Sequence, residues 1–350
     1  KRPGEMARNS LSHLGRGADG ILFFQWRAGR SGAEKFHSAM LPHAGTDSRV
    51  FREVVDLGAK LGRLGAVRGS RVHADVAILW DFESFWAQDL EWRPSEDVSH
   101  DERIRAFYER LWRDNITVDF ALPGHDLSGY KLVIAPAQYL LRQADADNLN
   151  RYVEAGGTLV VSFFSAVVDE NDAVHPGGFA APLEPSLGVR VEEHLPLRAG
   201  ATTTIEFGGA SHTADVWHEH LVVSDAETRA TYVDGPGAGM PAVTRKRHGA
   251  GTGWYVSTRP DAAGLAAIMA EVYADAGIAP VDAPAGLEIV RRAGDADDYV
   301  IAINHAATDA ELALEGVDLF SGRAVRGTLE VSAGDVAVIR APRTAPGGGH

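Results

Sequence analysis

Residues 131–163, KLVIAPAQYLLRQADADNLNRYVEAGGTLVVSF, hold a complete strand–helix–strand unit, and their reading decides the fold. Lys131–Pro136 is a continuous apolar run, as expected of a central strand buried on both faces of a parallel sheet. Ala144–Ala155 has helical spacing and stops at Gly156-Gly157, a pair suited to the left-handed close of a helix. Thr158–Phe163 is a second buried strand. Upstream lie a strand at Val76–Trp80, an amphipathic helix over residues 100–114 (HDERIRAFYERLWRD) and a strand at Ile116–Leu122. Downstream, Gly251–Thr258 and a helix over Asp261–Ala274 close the layer. This βαβαβ order predicts an α/β domain with a doubly wound parallel sheet over residues 69–280.

Two further zones flank it. In residues 1–68, a helical stretch at 5–16 (EMARNSLSHLGR) is followed by a break at Gly17-Ala18-Asp19-Gly20. A short apolar run, Ile21-Leu22-Phe23-Phe24-Gln25-Trp26, then predicts a buried strand. A polar loop over 27–35 leads into a long helix through Val50–Leu57. One helix–strand–loop–helix is not a domain, so this zone reads as part of a larger α/β layer. Residues 281–342 carry short strands at Leu287–Arg291, Tyr299–Asn304 and Val336–Ile339 with no helix between them, which predicts a small antiparallel β sandwich. The Pro/Gly-rich tail 343–350 is expected to be disordered. At 350 residues the chain is long enough for several domains, since single cores rarely grow beyond about 250 residues.

The net charge of −14 argues against a nucleic-acid partner, because phosphate binding needs clustered Lys and Arg. No apolar run reaches about 18 residues, so no membrane-spanning helix is expected. The chain has no cysteine, which excludes disulfides, thiolate zinc sites, iron–sulfur clusters and a Cys nucleophile within it. It starts at Lys1 without Met or a signal h-region and passes at once into helix-like sequence, so we read the start as a truncation.

Few residues group into a recognisable chemistry. If Ile21–Trp26 is a (β/α) barrel strand, the loop after it lies on the catalytic face. That loop carries Arg27, Arg30, Glu34 and His37. Glu34-x-x-His37 sets a carboxylate and an imidazole on one side of a helical turn, where they can bind adjacent sugar hydroxyls. A solvated turn with a surface His fits the same spacing. Glu-x-x-His is also a di-iron pattern, but that needs further copies on neighbouring helices and none is present. Trp26 suits either stacking on a sugar face or core packing. Ser165, in the turn after Thr158–Phe163, lacks a Gly-x-Ser-x-Gly elbow. Asp169-Glu170-Asn171-Asp172 reads as an acidic surface turn or a hard-cation site. The aromatic stretch Trp80 to Trp92 reads as an interdomain or intersubunit surface.

Several motifs together resemble the family 42 glycoside hydrolases, the bacterial β-galactosidases. They are Gly17-Ala18-Asp19-Gly20, Phe24-Gln25-Trp26-Arg27, Gly32-Ala33-Glu34-Lys35-Phe36-His37-Ser38, Trp80–Ala87, Leu127–Val133, Tyr152–Thr158 and Ser165–Asp172. The resemblance covers nearly the whole chain. It implies the last strand and helix of a (β/α)8 barrel, then a flavodoxin-like, class I glutamine-amidotransferase-like trimerisation domain, then a C-terminal β domain. It implies hydrolysis of terminal non-reducing β-D-galactosides with retention, a homotrimer and a cytoplasmic location. Glu34 and His37 match residues that hold the galactose ring, and Trp26 is placed beside them. The family's two catalytic glutamates lie on earlier barrel strands, upstream of Lys1, so no catalytic residue is carried over. No cofactor and no metal are expected; the structural zinc of some members is held by cysteines, which this chain lacks. An amidotransferase would need a Cys nucleophile where this chain has Phe164-Ser165-Ala166. The other function class compatible with the residues is a non-catalytic assembly or sugar-binding module.

Retaining hydrolysis needs two carboxylates about 5–5.5 Å apart on rigid elements. Glu5, Asp19 and Glu34 form no such pair on one loop. We therefore expect residues 1–68 to be poorly ordered or docked opportunistically without the rest of a barrel, and the 350-residue chain to turn over no chromogenic β-galactoside. Turnover within about tenfold of a full-length enzyme would place the catalytic carboxylates inside this chain.

Overall fold

The computed structural model describes residues 2–90 and 92–343. Of the expected disordered tail, residues 344–350 lie outside the described residues. The chain forms two compact units. One is Ala74–Pro280; the other joins the residues up to His73 with those from Val281 onward.

In the discontinuous unit, α1 (Glu5–Gly15) buries Met6, Ser10, Leu11 and Leu14 along one stripe, the helical spacing of an amphipathic face. Helix α2 (Arg49–Gly62) starts at Ser48, whose Oγ accepts from Phe51 N at 3.3 Å. Strand β1 (Arg71–Val72) follows.

The strand expected at Ile21–Trp26 does not form. The segment is irregular, with bends at Phe24 and Trp26; Ile21, Phe23 and Gln25 are half-buried and Leu22, Phe24 and Trp26 exposed. A parallel strand pairs its backbone groups with neighbouring strands, and among the described residues none lies beside it. Its C-terminal end instead bonds to its own returning loop: Met40 N to Gln25 O (2.9 Å), Leu41 N to Trp26 O (2.8 Å) and Ala28 N to Leu41 O (3.1 Å).

The continuous unit begins with β2 (Val76–Leu79), α3 (Phe82–Gln88), α4 (His100–Arg113), β3 (Val118–Ala121), β4 (Leu132–Ala135), α5 (Gln143–Glu154) and β5 (Thr158–Ser162). Then come α6 (Glu184–Leu187), β6 (Val189–His194), β7 (Thr202–Phe207), β8 (Ala210–Asp215), β9 (Glu219–Val223), β10 (Glu227–Tyr232), β11 (Pro241–His248), β12 (Gly251–Val256), β13 (Arg259–Pro260) and α7 (Ala262–Ala276). Strands β3-β2-β4-β5-β12 are parallel. Alternate residues supply two cores. Val76, Ile78, Leu132 and Ile134 meet Ile104, Phe107 and Leu111 of α4 and Ile268, Met269 and Val272 of α7. Ala77, Leu79, Val133 and Ala135 meet Leu149, Tyr152 and Val153 of α5. The close of α5 needs both glycines: Gly156 has φ 120°, and a Cβ on Gly157 would fall 2.2 Å from Tyr152 Cζ.

The sheet does not end at β12. Strands β11, β10, β7, β8 and β13 extend it antiparallel to ten strands, and β6 pairs with β9 apart from it. This half is weakly announced in the sequence: TTTIEF, ASHTAD and ETRATY are polar strands with few apolar positions.

The discontinuous unit resumes with β14 (Leu287–Ala293), β15 (Asp297–Asn304), β16 (Ala310–Ala313), β17 (Gly316–Asp318), β18 (Ala324–Val325), β19 (Thr328–Val331) and β20 (Val336–Pro342). The six-stranded order β1-β14-β15-β20-β17-β18 is antiparallel throughout. On β15, Val300 and Ala302 face the two-stranded β16–β19 ribbon through Leu312, Leu329 and Val331. Tyr299, Ile301 and Ile303 face Leu11, Leu14, Leu64 and Val67. Of the two expectations for the N-terminal zone, poor order or opportunistic docking, α1 follows the second, because the second face of this sheet buries it. Each fully buried Leu there contributes about 1.5–3 kcal/mol. Among the described residues no helix is long and apolar enough to cross a membrane.

Candidate functional site

The loop after Trp26 turns at Gly32, whose φ of 81° is left-handed, into a single 3₁₀ turn over Ala33–Phe36. His37 N donates to Glu34 O at 2.9 Å, and His37 leaves the turn in extended conformation. Trp26 is 65% exposed, and Glu34 and His37 are exposed. The His37 ring meets Phe24 edge-on at 5.7 Å. His43 Nε2 lies 2.6 Å from Lys35 O and ties the loop to its return. Behind it is a recess of about 130 Å³ lined by Met6, Phe23, Phe24, Met40, Val50 and Glu53. Among the described residues the Glu34 carboxylate and the His37 imidazole have no hydrogen-bond partner. They are polar groups presented outward from a braced turn.

At the C-terminal ends of the parallel strands, the other sequence candidates have structural work. Ser165 is buried; its Oγ donates to Ser162 O (2.7 Å) and accepts from Gln138 N (2.9 Å). It braces a turn. Asp169 Oδ1 accepts from Asn171 N (2.8 Å) and Ala173 N (3.1 Å), and these backbone bonds hold its carboxyl below the usual range. Asp172 accepts from Tyr139 OH at 3.1 Å, and burial with that charge pushes the phenol up to about 12. Among the described residues no group of three His, Asp or Glu could hold a metal ion. The Trp80–Trp92 stretch is an aromatic surface: Trp80 packs Phe82, Phe85 and Phe120 at 5.5–6.3 Å, while Phe82, Trp86 and Trp92 are exposed.

Sequence reasoning missed Glu219. It is fully buried; Oε1 accepts from Phe164 N (3.1 Å) and Trp217 Nε1 (2.9 Å), and Oε2 from Tyr255 OH (2.7 Å). His194 Nε2 lies 3.6 Å from Oε1. Burial raises the Glu219 carboxyl to about 7 against the pull of its three donors, and lowers His194 to about 4. Phe164 (φ 58°) and Val216 (φ 65°) are left-handed, so the carboxylate clamps two sharp turns. Its only sequence signal is an acid inside the otherwise unremarked run Trp217-His218-Glu219-His220.

Three family models match the chain in succession. Residues 1–64 match "Beta-galactosidase", 74–279 match "Beta-galactosidase trimerisation domain", and 286–341 match "Beta-galactosidase C-terminal domain". The chain is 43% identical over 341 residues to a β-galactosidase of Arthrobacter sp, covering 97% of this chain and 48% of that protein. It is 40% identical over 347 residues to the β-galactosidase BgaB of Geobacillus sp. (strain Y412MC61), covering 97% and 52%. Among solved structures, the β-galactosidase from Bacillus circulans sp. alkalophilus superposes with a TM-score of 0.94 at 33% identity, over 97% of this chain and 52% of that one. The chain spans about half the length of the curated relatives it matches.

Glu219 makes stability pH-dependent. Its raised folded value means that its contribution is fully present below the unfolded value of 4.5 and is lost as pH rises through about 7. Glu219→Gln removes that dependence. Urea unfolding at pH 5 and pH 8 should show wild type losing ground to the variant as pH rises, by up to about 3 kcal/mol. A gap that does not change with pH would show Glu219 to be ionised throughout.

Proposed function

The chain belongs to glycoside hydrolase family 42, the β-galactosidases, and from that membership we propose that it is the C-terminal half of an enzyme that hydrolyses terminal non-reducing β-D-galactosides with retention. The observation that carries this reading is the succession of the three family models, in order, along the chain. Residues up to about 68 then supply the last strand and helix of a (β/α)8 barrel. Residues 69–280 supply an amidotransferase-like, doubly wound domain that assembles a homotrimer, and residues 281–342 a β sandwich.

In this reading the acid/base and nucleophile glutamates stand on earlier barrel strands. This chain's own contribution is to hold the sugar. Glu34 accepts hydrogen bonds from galactose hydroxyls, His37 donates or accepts at a neighbouring hydroxyl, and Trp26 offers its face to the apolar side of the ring. The outward Glu34 and His37, which have no side-chain hydrogen-bond partner among the described residues, support this, because such polar groups can be satisfied by a ligand. The Ile21–Trp26 segment supports the barrel reading, because among the described residues it lies beside no strand and its own loop takes only the Gln25 and Trp26 carbonyls, which leaves an edge that neighbouring barrel strands would pair.

Glu34→Ala and His37→Ala in the full-length enzyme should each weaken galactoside turnover without unfolding it. The loss should be about 1.5–3 kcal/mol where a charged group bonds a hydroxyl. Unchanged kinetics in both variants would return the two residues to the surface. Light scattering of the chain should give the mass of three copies at micromolar concentration; a monomer would remove the trimer from the reading.

A further inference from the structure

Arg292, on β14, is 1% exposed, and every nitrogen of its guanidinium is engaged. Nε donates to Ser70 Oγ at 2.9 Å. Nη1 donates to Leu14 O (2.8 Å) and Ala18 O (2.9 Å). Nη2 donates to Asp19 Oδ1 (2.7 Å) and Ser70 O (2.7 Å). Asp19 completes the knot by accepting from Gly69 N on its other oxygen at 3.0 Å. One side chain therefore fixes three places at once: the last turn of α1, the Gly17–Gly20 break, and the corner before β1. On the same strand, the buried carboxylate of Glu288 pairs with Arg16 at 2.6 Å and with His305 at 2.8 Å.

A buried guanidinium is costly unless all five donors are used, and even then it adds little stability over an apolar replacement. What such a group does supply is a defined geometry. Lys could not replace it: an ammonium has three donors and no planar fork. The geometry is delivered at a particular point. Asp19 stands two residues before Ile21, where the segment begins that carries Trp26 and leads to Glu34 and His37. At its far end that segment is held by the Arg27–Leu41 bridge. At its near end the Arg292–Asp19 pair is the anchor, and Arg292 lies in the residues matched by the C-terminal domain model, Asp19 in those matched by the first.

We propose that Arg292, acting through Asp19, is a positioning residue for galactoside binding: the C-terminal β sheet sets where the sugar-holding segment starts, and so where Trp26, Glu34 and His37 stand. The inference rests on the reading of that loop as sugar-binding. It assigns the C-terminal β strands a part in substrate affinity, although none of them carries a residue placed at the sugar.

One variant tests it, with Glu34→Ala as the comparison. Arg292→Lys leaves buried carbonyls unpaired and endangers folding. Asp19→Asn sits at a partly exposed position, keeps its shape and one acceptor for Gly69 N, and replaces the carboxylate oxygen that accepts from Arg292 with an amide NH2, so that the bond and the charge facing Arg292 are both lost. In the 350-residue chain, Asp19→Asn should speed amide exchange about tenfold at residues 17–23 while leaving residues 299–303 of β15 unchanged. Equal loosening of both, or no change at 17–23, would overturn the proposal by making the pair a general core contact or no constraint at all. In the full-length galactosidase, the same variant should raise KM and the galactose inhibition constant together by about tenfold, with kcat per active enzyme moving less. Unchanged KM in Asp19→Asn, with KM raised in Glu34→Ala, would overturn the clamp and keep the loop. Unchanged KM in both would overturn the loop reading itself, and the clamp's function with it.

Discussion

A strand that is apolar on both faces has two faces to cover, and both units of this chain are built around that requirement. In the continuous unit, β2, β4 and β5 send alternate side chains to α4 and α7 on one side and to α5 on the other. In the discontinuous unit, the run Tyr299-Val300-Ile301-Ala302-Ile303 does the same with different covers: a two-stranded ribbon on one face and a helix from the opposite end of the chain on the other. The second case explains why the first and third zones of the sequence fold as one body. A sheet whose two faces are both apolar is not finished by one layer.

That run also marks how far the sequence could be read. The parallel strands and their helices were legible because continuous apolar runs of strand length, spaced by amphipathic helices and closed by Gly156-Gly157, have few other solutions. Tyr299–Ile303 carried the same two-faced signal, but nothing local in it says that the second cover is Leu11 and Leu14, nearly three hundred residues away. The antiparallel half of the large sheet was hidden for the opposite reason: its strands are polar, and their burial comes from neighbours and not from composition. Ile21–Trp26 looked like a strand because its residues suit one, yet a strand is defined by partners. For the candidate site, the identities Glu34, His37 and Trp26 came from motif resemblance; their outward presentation from a braced 3₁₀ turn is what the structure adds.

Each unit holds a buried ionisable hub that sequence reasoning could not find. Both have hydrogen-bond partners far away in the chain: Glu219 is bonded by Phe164 and Tyr255, and Arg292 by Leu14, Ala18, Asp19 and Ser70. They solve the burial problem differently because their chemistry differs. A carboxyl can take up a proton and become neutral, so Glu219 tolerates a dry site by shifting upward, although its three donors pull the other way. A guanidinium has no such escape, so Arg292 must find an acceptor for every N–H. The first hub is therefore sensitive to pH and the second to geometry.

The turn after β5 shows what the continuous unit can and cannot do. On the amidotransferase-like reading, this is where a nucleophile would be expected. Here the left-handed position is taken by Phe164, whose ring packs against His194 and Trp217 at 5.5 and 5.0 Å. Its backbone N–H is spent on Glu219. Ser165, next in the chain, is pinned between Ser162 O and Gln138 N. A nucleophile needs an exposed side chain beside a base, and a free N–H near it to receive developing negative charge. This turn has consumed both: the hydroxyl is a brace and the N–H is a clamp. The same bonds that make it inert make it rigid. The strained conformation is thus kept for shape, as a fixed corner at the buried ends of the strands, and any gain of chemistry there would first have to break the bonds to Glu219.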